Sequence, residues 1–152
     1  MAETDYDLIR TAVADYIIAS LSWATSSSVF DYSPTDPALP FGNLPAIIVD
    51  FDRAANIEWE AVTEGYLRGI PFLIEIYVEI PASDTTGRTS SIDVAQKLGE
   101  VEQLFQANPT IGSTVKGSTI RSSKVESIRI DAVKLGVLVR FAWLSLVVFA
   151  LA

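Results

Sequence analysis

The sequence predicts an α+β fold: a mainly antiparallel β-sheet with two α-helices packed on one face. Three observations carry this expectation. Two segments, and only two, repeat apolar residues at helical spacing. Several others alternate apolar and polar residues strictly, the mark of strands with one covered and one open face. The order helix, strands, helix, two strands leaves the helices too far apart for a repeating βαβ wrap.

The first helix is expected over residues 4–22, where Leu8, Ile9, Ala12, Val13, Tyr16, Ile17 and Leu21 share one stripe. Thr4 and Asp7 have the spacing of a capping box, and Ser26-Ser27-Ser28 ends the segment. Val29 to Tyr32 reads as a short strand. Pro34, Pro37, Pro40 and Pro45, with Gly42 between them, then forbid a helix.

Strands follow. Ala46 to Asp52 opposes Ile47, Val49 and Phe51 to Ile48, Asp50 and Asp52. Asn56 to Val62 opposes Ile57, Trp59 and Ala61 to Glu58 and Glu60. Gly69 to Ile80 is the clearest: Phe72, Ile74, Ile76, Val78 and Ile80 against Leu73, Glu75, Tyr77 and Glu79. After the polar loop of Pro81 to Thr89, a cap at Ser90 to Asp93 should open a second helix that buries Ile92, Ala95, Leu98, Val101, Leu104 and Phe105. Asn108-Pro109 stops it near Ala107. Gly112 to Lys124 reads as a weak strand, and Lys124 to Val133 and Leu135 to Ala150 as a hairpin pivoting near Lys134-Leu135-Gly136. The last strand is long, so a bend or bulge is expected near Trp143 or Ser145.

Composition narrows function. The 152 residues are expected to form a single domain over 1–152. There is no cysteine and no histidine, which removes disulfides, thiolate nucleophiles, histidine bases and zinc held by either residue. Eleven basic against 19 acidic residues give a net charge of −8, the wrong sign for phosphate neutralisation. The positive stretch Lys116, Arg121, Lys124 and Arg129 is sparse and interleaved with hydroxyls, as on a solvated strand pair.

Paired carboxylates at Asp50 and Asp52, Glu58 and Glu60, and Glu75 and Glu79 read as ordinary solvated strand faces rather than an acid-base or metal site. Gly65, Gly69 and Gly87 fit no phosphate-binding motif. No catalytic residue, metal or cofactor is therefore expected, and the chain is read as a non-enzyme. Residues 141–152, FAWLSLVVFALA, fall short of a membrane span and read as a buried strand, so no membrane is expected among the partners.

That strand is apolar on both faces, and helices can cover only one of them. The other is expected to be buried between subunits. Trp59, flanked by Glu58 and Glu60, is the leading anchor. Trp23 is ambiguous, and Trp143 reads as core although it remains an interface candidate.

Several patterns, in this order, are similar to a bacteriophage tail terminator or tail-completion protein, of the kind that caps long-tailed phages. They are the amphipathic N-terminal helix, the proline-punctuated lead into LPAIIVDF at 44–51, and GIPFLIEIYVEI at 69–80. The helix SSIDVAQKLGEVEQLF at 90–105 and the closing hairpin complete them. The resemblance covers most of the chain. It implies a homo-oligomeric ring, typically a hexamer, that sits on the tail tube protein, stops tube growth and faces a head-side connector or neck protein. It also implies a virion location in tail or neck after assembly in the host cytoplasm, with DNA passing the lumen without specific binding. Loops 34–44 and 82–89 are then the candidate axial contacts. The interface candidates are Trp59, Pro37, Phe41, Asp84, Thr85, Arg88 and Trp143. Other ring subunits (head-tail adaptor, tail tube or baseplate component) are the alternative, with a small carboxylate-based enzyme or ligand-binding domain behind them.

Overall fold

The computed structural model describes residues 4–36, 38–111, 114–115, 118–134 and 139–152, with residues 114–115, 118 and 129–134 described in backbone only. Among the described residues, two α-helices and seven strands follow in the order α1 (Tyr6–Ser20), β1 (Val29–Phe30), β2 (Ala46–Phe51), β3 (Glu58–Val62), β4 (Gly65–Glu79), α2 (Arg88–Ala107), β5 (Thr114–Val115), β6 (Ser118–Lys134) and β7 (Val139–Leu151). A 3-10 turn lies at Leu39–Gly42. All seven strands form one sheet in the order β1-β2-β4-β7-β6-β5, with β3 also on β4. Among the described residues only the β1–β2 pair is parallel. The α+β expectation is met.

β7 lies at the centre because it is apolar on both faces. It pairs with β4 without a break from Leu67↔Leu151 to Glu79↔Val139, and with β6 on its other side. Strict alternation gives it two distinct faces. Ala142, Leu144, Leu146, Val148 and Ala150 are buried under the helices with Ile70, Phe72, Ile74, Ile76 and Val78 of β4 and Ile47 and Val49 of β2. Each of these larger side chains contributes about 1.5–3 kcal/mol by leaving water. The bend or bulge expected in β7 near Trp143 or Ser145 is not a break in its register with β4; the extra residues sit across from those positions on the neighbouring strand. The irregularities fall on β6, whose register with β7 shifts between Ile120/Ser122, Val125/Ser127 and Arg129/Ala132. The expected hairpin pivot around Leu135-Gly136 lies outside the described residues.

The helices cover one face through stripes at steps of three and four residues: Ile9, Val13 and Ile17 on α1, and Val94, Leu98, Val101 and Phe105 on α2. The second stripe is rotated from expectation. Val94 is buried, whereas Ile92 is 44% exposed. Ala95 faces water as well. A polar contact fixes the rotation: buried Ser90 accepts a 2.8 Å hydrogen bond from Arg140 Nε of β7. Between the helices, Tyr16 donates to the Leu104 carbonyl and Trp23 to Glu100, with Lys97 over the indole ring. Trp23 thus closes the helix pair.

The caps differ from the expected ones. Asp5, rather than Thr4, accepts from the Leu8 amide to start α1. For α2 the cap comes from further upstream. Asp84 accepts from the amides of Thr89 and Ser90 across Gly87, whose φ of 80° is left-handed and whose missing Cβ leaves room for the Arg140 guanidinium.

Candidate interaction surface

The face of the sheet turned away from the helices is the surface whose cover the sequence leaves open. Its upper part is closed by the chain itself. The proline-punctuated segment folds back so that Phe41 and Leu44 pack on Ala46, Ile48, Tyr77 and Val139, a second small core. Phe41 meets Tyr77 edge-on at 5.3 Å, Tyr77 stacks on Phe141 at 5.7 Å, and Phe141 on Trp143 at 5.0 Å. This narrows the expectation that the face is buried between subunits: one end of it has a lid of the chain's own.

Trp143 is half-buried at the end of this aromatic row, not in the helix-side core. The Tyr77 hydroxyl bonds to Glu75, and burial, then this contact, push its ionisation far above the usual phenol range.

Below the lid the face opens into a trough of about 630 Å³. Its floor is Leu67, Gly69, Pro71, Val147 and Phe149, and its banks carry Glu58, Glu60 and Glu126. Glu58 and Glu60 project here because they sit across from Gly69 and Leu67 on β4. Trp59, opposite Arg68, projects to the other side. There it is 64% exposed and touches the Tyr66 ring edge-on at 5.3 Å. Nothing else of its size in the described chain is so open to water among the exposed hydrophobics.

The remaining candidates are scattered. Asp84 is occupied as the cap of α2, and its carboxyl is held below the usual range by the Ser90 hydroxyl and the amides it accepts from. Thr85 and Arg88 are exposed in the same loop and at the helix start. Phe41 belongs to the lid core, and Pro37 lies outside the described residues. The structure thus brings Trp59 to the trough edge and Phe41 and Trp143 to the aromatic row, with Asp84, Thr85 and Arg88 together elsewhere.

The pair Asp50 and Asp52 has structural partners. Asp50 accepts from Arg10 at 2.8 Å and from the Ser33 hydroxyl at 2.6 Å, and Asp52 from the Ala54 amide. Among the described residues no group of three or more acidic side chains is placed to hold a metal ion. No helix of the described residues is long and apolar enough to cross a membrane.

The chain matches no protein-family model and no curated protein. Its fold does have a counterpart among solved structures. A chain of the "Virion of native gene transfer agent (GTA) particle" superposes with a TM-score of 0.60 at 12% identity, covering 97% of this chain and 100% of that one. At that identity the likeness establishes the shared fold.

Proposed function

We propose that this chain is a structural subunit of a phage-like particle, a non-enzyme that acts as a homo-oligomeric ring. In the fuller form of this reading the ring, a hexamer, caps the tail tube. It stops tube growth and presents its other side to a head-side connector or neck protein. The observation that carries the proposal is the end-to-end match in fold to a chain of a virion particle. The surface supports it independently. A trough with an apolar floor and acidic banks lies on the sheet face that neither α-helix covers, and Trp59, 64% exposed, stands at its edge on the other side of β3.

A ring built from head-to-tail contacts hides such surface once its rotation closes. The net charge of −8 suits a lumen through which DNA passes without being held. A different ring position in the same kind of particle, such as a head-tail adaptor, is the second reading, favoured by the same fold match.

Light scattering coupled to size-exclusion chromatography, with negative-stain imaging, tests the proposal. Short closed rings, hexameric if the resemblance to tail terminators holds, are the anticipated result. Long tubes would point to a tube subunit, and a monomer at every concentration would overturn the reading.

A further inference from the structure

Where the trough lies, the sheet is four strands wide, in the order β3, β4, β7, β6, and each is antiparallel to the next. The outer two, β3 and β6, therefore run in opposite directions. Both have an open edge. β3 pairs only with β4 among the described residues, and the outer side of β6 carries β5 only at Ser118 and Thr119. Unpaired edges of this kind are templates for another strand.

The rows across the sheet place charge at both edges. One row runs Glu60, Leu67, Leu151, Thr119; the next runs Glu58, Gly69, Phe149, Ser122; a third contains Pro71, Val147 and Lys124. On the trough side the β3 edge is acidic through Glu58 and Glu60. The β6 edge carries Lys124 and, in the bulge beside Ser122, Arg121, with the acidic Glu126 further along the same bank. The two basic residues are only loosely engaged at home. Arg121 reaches Glu64 at 3.5 Å and Lys124 reaches Glu126 at 3.8 Å, with all four side chains about half exposed or more. Glu58 and Glu60 have no ion-pair partner among the described residues.

We propose that β3 of one copy adds antiparallel to β6 of a second copy, with Glu58 and Glu60 facing that copy's Arg121 and Lys124. The inference rests on the ring reading and names its contact. Direction and charge select this pairing over the symmetric ones. β3 on β3 would set glutamate against glutamate, where like charges repel, and β6 on β6 would make a closed two-fold pair rather than a head-to-tail ring. The mixed pairing repeats head to tail and keeps every neighbour antiparallel, and with all copies at one height Glu58 and Glu60 stand opposite Ser122 and Thr119, with Lys124 and Arg121 on the adjacent diagonals. Side chains of this length also reach the diagonal position, so a shift of one row is tolerated.

The test is charge reversal at each edge. E58K/E60K and R121E/K124E are compared with the wild type and with the quadruple variant by light scattering and negative-stain imaging. Circular dichroism checks that each variant folds. Each double variant is expected to raise the midpoint concentration of ring assembly at least tenfold, and the quadruple variant to bring it back. Amide hydrogen exchange in the wild-type ring is expected to slow over 58–62 and 120–128 relative to the dissociated double variants. Rings that persist in both double variants, or a quadruple variant that stays dissociated, would overturn the strand pairing while leaving the ring reading in place. A wild-type chain that never assembles would remove both.

Discussion

Arg10 of α1 donates to Asp50 of β2 at 2.8 Å, an ion pair that pins the first helix to the edge of the sheet. The same carboxylate accepts from the backbone and hydroxyl of Ser33, and the Arg10 guanidinium also lies 4.8 Å over the Phe51 ring. Burial works to raise the Asp50 carboxyl, but the bonds from Ser33, the Phe51 amide and Arg10 outweigh it and hold the group below its ordinary value. A carboxylate lowered in this way stabilises the fold fully above its unfolded value near pH 4, and the contribution fades as pH falls through the lowered folded value. Asp50→Asn is expected to cost about 1.5–3 kcal/mol at pH 7. In urea melts at several pH values, the gap between variant and wild type should narrow below about pH 4.

Asp84 is the cap of α2, and its removal should be felt at the helix start. Asp84→Ala is expected to lower the thermal midpoint and to speed amide exchange at Thr89 and Ser90. A variant with unchanged exchange at these two amides would contradict the capping role.

Leu146 tests the centre of the sheet. It is fully buried on β7, flanked by β4 and β6. Leu146→Ala is expected to cost about 2–5 kcal/mol in urea unfolding, the transfer loss plus the cavity.

Trp59 separates fold from assembly. Trp59→Ser removes one edge-on ring pair and should cost the monomer no more than about 1.5 kcal/mol. The same change is expected to weaken ring formation by at least roughly tenfold, as loss of an aromatic anchor does. Thermal melts and light scattering on the same sample read the two effects.

Much of the architecture is legible in the residues because alternation leaves little choice. Ile74, Ile76 and Val78 must face one way if Glu75 and Glu79 face the other, and a β7 that is greasy on both sides must lie inside. The face of α2 is less legible. Ile92 and Val94 are both apolar, and what decides between them is the bond from Arg140 to Ser90, made across 50 residues. The lid formed by Phe41 and Leu44 is a long-range event of the same kind, as is the reach of Asp84 over Gly87. Of the interaction surface, Trp59 with its flanking glutamates stands out in the sequence. The basic residues at the opposite edge do not, because the order β3-β4-β7-β6 that brings Arg121 and Lys124 to the rows next to Glu58 is a property of the folded sheet.

The register shifts on β6 and the unbroken run of β7 have a bearing on how this chain can change. Strand side chains alternate, so one added residue in β7 would swap its faces, putting Phe149 and Trp143 beneath the helices and Leu144 and Leu146 out in water. β6 already carries irregular steps at which an extra residue is taken up locally. Length variation among descendants of this sequence is therefore channelled to the rim, where it alters what the molecule touches and spares what holds it together.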